Sequence, residues 1–350
     1  LFARKVLRFS RLLAVLAIVA AAGLCPPPAF PTAAAQSPAF ADVPSGHWAA
    51  DAINSLAEVG VLKGVGSGRF QPDRTMTRAE YLTALLRCRG FDPAAQAPVD
   101  QALGGSGPGT GSSVFTDVPP DAWYRPYAVL ALRLGITEGA GRGRLRPDDP
   151  VTREETAAQA VRALGWTSRA LGLTWSQAVS ILKARFTDWE SISAAERPYV
   201  AVAVRDGLVA GYPDGTFAPQ ATSTRAEVAV VLARVRQASP PPTRTASSPA
   251  FTYRRKMTLV ATAYGPNAVD NYPWGADLCY LGYHLREGIV AVDPKVIPLG
   301  THLYVEGYGY AVAADTGGAI VGDRIDLLLN KPRSEVQDFG IQRLTVYVVD

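Results

Sequence analysis

Two short motifs occur three times each in the first two-thirds of the chain, and their spacing limits the fold more than any other feature. Phe40-Ala41-Asp42-Val43, Phe115-Thr116-Asp117-Val118 and Phe186-Thr187-Asp188-Trp189 open the copies, at intervals of 75 and 71 residues. Thr77-Arg78-Ala79-Glu80, Thr152-Arg153-Glu154-Glu155 and Thr224-Arg225-Ala226-Glu227 follow within them, at intervals of 75 and 72. Between the motifs lie an apolar stripe at helical spacing (Ile53, Leu56 and Val59 in the first copy) and a Gly-rich turn at 65–73, 139–148 or 212–219. Each copy therefore reads as helix, turn, helix. One such pair cannot bury its own stripe, so three packed copies form the natural unit.

The Thr-Arg-x-Glu tetrad carries a local signal. Thr at the N-cap and Glu three residues on form a capping box that opens the second helix of each copy. The box leaves the arginine unexplained. A cation in the first turn opposes the helix dipole by roughly 0.3–1 kcal/mol, yet Arg78, Arg153 and Arg225 recur there. An anion bound at the helix N-terminus would reverse the sign, and pairing with a nearby acid is the competing reading. The anion is the expectation.

These copies resemble S-layer homology domains through their TRAE, F-x-D-V and GYPDGTF elements. The resemblance spans repeat 1 (38–91), repeat 2 (114–165) and repeat 3 (186–236), with a connecting helix over 166–185. It implies binding of a pyruvylated secondary cell-wall polysaccharide. Arg78, Arg153 and Arg225 would contact the anion, and Trp48 and Trp123 would line grooves between copies. Two departures stand out. Ala194-Ala195 occupies the place of the third tryptophan, and Arg142-Gly143-Arg144 stands where repeat 3 has Pro213-Asp214-Gly215. Each is expected to weaken a groove.

The pattern changes near the C-terminus. Short apolar runs (289–292, 303–305, 310–314, 325–329) alternate with Gly and Pro turns, which signals strands. Asp293 and Asp315 each end a run. Asp326 sits inside one, between Ile325 and Leu327, and strand alternation points it away from the face they bury.

VDP, ADTGGAI and RIDL, with ATAY at 261–264 and VIPLGT at 296–301, resemble the 3D domain, named for three aspartates. That domain occurs in the membrane-bound lytic transglycosylase A family and in bacterial wall and spore proteins. It implies a six-stranded double-psi β-barrel over 251–350. The fold class is then multidomain, an α-helical repeat bundle followed by an all-β barrel. The implied activity is cleavage of peptidoglycan glycan strands, with Asp326 as proton donor and Asp315 as the neighbour that stabilises developing positive charge. A transglycosylase manages with one acid because the muramic acid 6-hydroxyl attacks internally, whereas a hydrolase needs a second carboxylate. Asp293 precedes Pro294 and reads as structural. Thr316, Gly317 and Gly318 open a loop that either faces sugar or makes a tight turn. Tyr264, Tyr272 and Trp274 are candidates for stacking on sugar or for packing.

Two other classes compete. Asp315-Thr316-Gly317 is also the aspartic protease signature, but it occurs once and only 35 residues follow Asp315. Non-catalytic, expansin-like barrels that loosen polysaccharide are the alternative. A thiol site from Cys279 and His284 has no further support in the sequence, and nothing calls for a metal or cofactor.

Charge settles the remaining class. The formal net charge is +4, and residues 1–35 hold Arg4, Lys5, Arg8 and Arg11 with no acid. The remainder is near neutral, which argues against a nucleic-acid partner. Residues 1–35 read as a secretory signal peptide, with lipidation at Cys25 the weaker alternative, and any membrane contact is expected through that segment alone. A Gly/Ser/Pro insert at 92–113 and a Pro/Ser/Thr linker at 237–250 complete the organisation. The expected protein is secreted and wall-associated: an anchor, a tether and an effector.

Overall fold

The computed structural model describes residues 40–91, 115–238, 253–266 and 278–349. The signal segment with Cys25, the 92–113 insert, most of the linker, Tyr272 and Trp274 lie outside them.

Each repeat supplies two helices: α1 (Ala50–Glu58) and α2 (Arg78–Cys88), α3 (Arg125–Arg133) and α4 (Arg153–Ala163), α7 (Arg197–Arg205) and α8 (Arg225–Ala238). The first helix of each packs on the second helix of another copy: α3 on α2, α7 on α4, and α1 on α8. That cyclic exchange is how stripes too small for one repeat become buried. Between repeats 2 and 3 stand two helices, α5 (Thr167–Leu171) and α6 (Trp175–Lys183), where one was expected. Gly172 follows the first, and Thr174 then caps a new helix through a box with Gln177.

The repeats are closed by backbone. Met76 N–H donates to Ser223 O (3.0 Å), Ser223 N–H to Val151 O (2.9 Å), and Val151 N–H to Met76 O (2.9 Å). The second helices lock the same ring. The amides of Arg78 and Ala79 donate to carbonyls of Asp149 and Pro147, those of Arg153 and Glu154 to Ala221 and Pro219, and those of Arg225 and Ala226 to Arg74 and Pro72. All three capping boxes are formed. The first-turn donors that helices leave without partners are thus taken by the neighbouring repeat and the cap. An anion has no free first-turn amide to meet at these helices, so the sequence argument reduces to the guanidinium groups.

The F-x-D motif acquires a reason too. Asp42, Asp117 and Asp188 each accept two backbone N–H groups of their own repeat's turn at 2.8 Å: Phe70 and Gln71, Leu145 and Arg146, Phe217 and Ala218. Gln71, Arg146 and Ala218 sit at φ of 59°, 55° and 52°, a left-handed conformation that the paired carboxylate bonds hold. The phenylalanine ring of repeats 1 and 3 lies against the glycine just before the turn. A Cβ at Gly64 would come 2.7 Å from Phe40, and one at Gly211 2.4 Å from Phe186.

The C-terminal strands are β1 (Arg255–Tyr264), β2 (Ile289–Val292), β3 (His302–Val305), β4 (Gly309–Asp315), β5 (Arg324–Leu328) and β6 (Gln342–Val348). They close into a six-stranded barrel in the order β1-β5-β2-β4-β3-β6, with β1/β5 and β2/β4 parallel. A short helix, α9 (Arg333–Asp338), joins β5 to β6. Alternate residues (Leu259, Ala261, Val290, Val292, Ile325, Leu327) fill the interior.

The outer face of the barrel is divided. On the β3, β4 and β6 side, Tyr310 and Tyr347 join the core of the repeats, and Phe91 packs edge-on against Tyr310 with centroids 5.8 Å apart. Arg286 also forms an ion pair with Glu138 of repeat 2 at 2.8 Å. The effector is therefore seated on the repeats and does not hang free beyond its linker. On the β1, β5 and β2 side, which also takes in the C-terminal half of β4, the segment 278–285 covers a second apolar cluster that includes Tyr264, Ile289, Ala291, Val312 and Leu328.

Candidate functional site

Two of the three aspartates meet on that second face. Asp326 on β5 pairs with Ala291 on β2, and Ala291 pairs in turn with Asp315 on β4. The register shifts between Val290 and Ala291, so Asp315, not Ala314, stands opposite Ala291. This bulge re-aims the Asp315 carboxylate, as bulges beside functional sites do. The two acids are two strand spacings apart, roughly 9–10 Å between backbones, and Ala291 puts only a methyl group between them. Both are half-buried.

Strand β1 supplies the partners. Thr262 donates from Oγ1 to Asp326 Oδ1 (2.8 Å), and Tyr264 donates its hydroxyl to Asp315 Oδ2 (2.9 Å). Asp315 Oδ1 also accepts the N–H groups of Tyr280 (3.1 Å) and Thr316 (2.9 Å). Burial first, and then the Asp315 charge, push the Tyr264 phenol well above its usual pKa, so it remains a donor. The i, i+2 spacing of Thr262 and Tyr264 within ATAY puts both on one strand face. That spacing was visible in the sequence, but which acid each would hold was not.

Asp293 lies elsewhere in role. Its carboxylate accepts N–H groups from Gly322 (2.8 Å) and Lys295 (2.9 Å), tying the Asp-Pro turn to the loop before β5. These bonds, Gly322 first, hold its pKa below the usual carboxylate value. A lowered folded-state pKa contributes stability above the unfolded value, near 3.9, and that contribution disappears as pH falls through the folded one. Asp293→Asn is accordingly expected to lower the melting temperature at pH 7. The gap to the parent should narrow below about pH 4, as thermal unfolding followed at both pH values would show. Gly317 and Gly318 are exposed and Thr316 is half-buried, and a Cβ at Gly318 would meet nothing within 4 Å. The Cys279 thiol is buried, and burial pushes it up to about 11, so it is no nucleophile at neutral pH. Among the described residues, no group of His, Cys, Asp and Glu is placed to hold a metal.

The second site lies in the repeats. A cleft of about 560 Å³ is lined by Trp48 of repeat 1, Arg153 of repeat 2, and Tyr212 and Phe217 of repeat 3. Trp48 is 64% exposed and Trp123 61%, so neither serves as core. The Arg153 guanidinium stacks 4.3 Å from the Tyr212 ring, donates to the Phe217 and Ala210 carbonyls, and pairs with Glu227 at 3.0 Å.

The threefold relation places two counterparts. In one, Arg225 donates to the Phe70 and Lys63 carbonyls and stacks on Phe70, with Trp123 in the place of Trp48 and Val65 in that of Tyr212. Arg225 is only 5% exposed. In the other, Arg78 pairs with Glu155, and its Nε is buried without a partner. Turn hydrogen bonds fix the correspondence: Tyr212 N–H to Thr216 O and Ala140 N–H to Arg144 O. Ala140 thus replaces Tyr212, Leu145 replaces Phe217, and Arg142, not Gly143, replaces Asp214. The missing tryptophan faces this same groove. The two departures that the sequence assigned to two grooves meet in one.

Comparison with known proteins agrees with this division. The S-layer homology domain model matches residues 39–82, 114–157 and 185–229, and the 3D domain model matches 288–350. The chain carries three S-layer homology domains and a C-terminal 3D domain. The protein is of the cell-surface, wall-associated kind. It is 34% identical over 186 residues to an amylopullulanase of Thermoanaerobacterium thermosulfurigenes, over 53% of this chain and 9% of that protein. It is 32% identical over 197 residues to the exoglucanase XynX of Acetivibrio thermocellus, over 56% of this chain and 16% of that one. These matches cover only the S-layer homology region. Over 96 residues it is 41% identical to the cell wall-binding protein YocH of Bacillus subtilis (strain 168), over 27% of this chain and 33% of that protein. The chain thus spans a third or less of each of these relatives.

Proposed function

We propose that this protein cleaves peptidoglycan glycan strands with its 3D barrel while its S-layer homology repeats hold it to a pyruvylated secondary polysaccharide of the wall. One observation carries the catalytic half: two half-buried carboxylates from non-adjacent strands share one face of the barrel, each held by a hydroxyl from the same strand. Asp326, whose Oδ1 accepts from the Thr262 hydroxyl, would carry the proton to the glycosidic oxygen. Asp315, held as an acceptor by a phenol and two amides, would face the oxocarbenium charge that develops. After bond cleavage the Asp326 carboxylate would take the proton of the muramic acid 6-hydroxyl as that oxygen closes on C1. The resemblance to YocH, a cell wall-binding protein, supports a wall ligand for this reading.

The anchoring half rests on the Trp48–Arg153–Tyr212 cleft, which offers a sugar face an exposed indole and a carboxylate a guanidinium. Incubating the purified protein with peptidoglycan and identifying the products by mass spectrometry tests the chemistry. Anhydro-muropeptides are expected. Reducing ends would make it a hydrolase, cleaved peptide stems would point to the aspartic protease class, and intact sacculi would leave an expansin-like wall binder.

A further inference from the structure

The barrel seats on repeat 2 through a segment that also touches the candidate site. Residues 278–288 form a tight hairpin, with Cys279 N–H donating to Tyr283 O (2.9 Å) and Gly282 N–H returning to Cys279 O (2.8 Å) at a φ of 78°. One side of this hairpin faces the end of β4 and Asp315. Leu281 N–H donates to Ala314 O (3.0 Å), and Tyr280 N–H donates to Asp315 Oδ1 (3.1 Å). The other side is fastened to repeat 2. Arg286 forks onto both oxygens of Glu138 (2.8 and 3.3 Å) and donates to the Leu132 carbonyl at the end of α3 (2.6 Å). Glu287 pairs with Arg133 at 3.3 Å. The Tyr283 ring, 4% exposed, lies against Gly135, where a Cβ would come 2.7 Å from it.

We infer that repeat 2 is a positioning element of the barrel's active site, acting through Arg286 and Tyr283 to hold the Tyr280 amide on Asp315. The physical case is one of local stability. An eleven-residue hairpin with a single glycine-dependent turn has little of its own to resist opening. Its order comes from the two surfaces it bridges, and a fixed donor at Asp315 depends on both. The wall-binding region thereby takes part in shaping the catalytic face as well as in anchoring it. This inference rests on the catalytic reading above for its effect on turnover, but not for its effect on the hairpin.

The test uses the full chain. Glu138 is exposed, and among the described residues its carboxylate accepts from two groups of the hairpin, the Arg286 guanidinium and the His284 amide. Glu138→Ala should therefore leave the repeats folded. Hydrogen exchange at the Tyr280 and Leu281 amides is expected to accelerate by about tenfold or more, while the Val290 and Ile325 amides inside the barrel keep their protection. Peptidoglycan turnover should fall with the hairpin. Glu138→Gln keeps an acceptor oxygen for Arg286 and should recover part of both. Gly135→Ala, which pushes on Tyr283 from the other side, should accelerate the same two amides. Unchanged exchange at Tyr280 and Leu281 in both the Ala variants would overturn the inference, as would a uniform loss of protection through the barrel. Accelerated exchange in a protein whose parent has no turnover would instead remove the catalytic reading and leave the positioning role standing.

Discussion

Asp326→Asn should abolish peptidoglycan turnover and leave the barrel folded. The substitution keeps size and an acceptor for the Thr262 hydroxyl, which lies 2.8 Å from the carboxylate, and removes the transferable proton. Positioned acid–base catalysis is worth roughly 10²–10⁴-fold, enough to take a slow wall enzyme below detection. Ile325 and Leu327 on either side are buried in the barrel interior and are untouched by a change on the opposite face. Product release from one peptidoglycan preparation, measured with a circular dichroism check of fold, compares Asp326→Asn with Asp315→Asn and Asp293→Asn. Asp315→Asn should retain weak turnover, because its one oxygen can still accept from the Tyr280 and Thr316 amides while its new NH2 donates to the Tyr264 oxygen. An Asp293→Asn protein that is folded but inert, beside an active Asp326→Asn, would reverse the roles assigned to these residues.

The second large effect is expected at Trp48. Its indole is 64% exposed and lines the cleft that holds Arg153, so Trp48→Ala should cost no stability. Interface tryptophans at the centre of a site commonly contribute about 2 kcal/mol, which corresponds to roughly 30-fold in affinity. Sacculi carrying their secondary polymer should therefore retain the variant about 30-fold less well. Trp123→Ala should weaken binding less, since Val65 stands in its groove where Tyr212 stands in the first. Arg78→Ala should weaken it least, because its groove has lost its aromatic residues. Arginine variants test this less cleanly than tryptophan variants. Arg153 and Arg225 each hold two turn carbonyls of the neighbouring repeat, so their removal disturbs the ring as well as the ligand. Equal retention of Trp48→Ala and the parent would place the polymer elsewhere.

Much of this arrangement is legible in the sequence for physical reasons. The capping boxes are local, and three copies of Thr and Glu at one spacing have a single economical explanation. Alternation within Ile325-Asp326-Leu327 put Asp326 on the face opposite the barrel core, where it lies. What the sequence left open involves geometry between distant segments. The bulge that brings Asp315 opposite Ala291 depends on the pairing of β2 with β4 and leaves no mark in either strand alone. The grooves each draw on three repeats at once, so a residue missing from repeat 3 and a turn altered in repeat 2 could not be assigned to one groove until the order of the ring was known. The seat of the barrel on repeat 2 follows from Tyr283 and Arg286, residues that look in sequence like any others in a polar loop.

The backbone ring of Met76, Val151 and Ser223 also bears on how such proteins can vary. In an open solenoid each unit meets only its neighbours, and units are gained or lost by duplication with little penalty. Here every donor and acceptor in the ring is already matched: three amides, three carbonyls and no free edge. A fourth copy inserted in tandem would find no place to join, and a deletion would leave one amide and one carbonyl facing nothing. Change is instead directed into what each copy displays. One groove can lose its aromatic residues, or one face can take on a barrel, while the copy number stays at three.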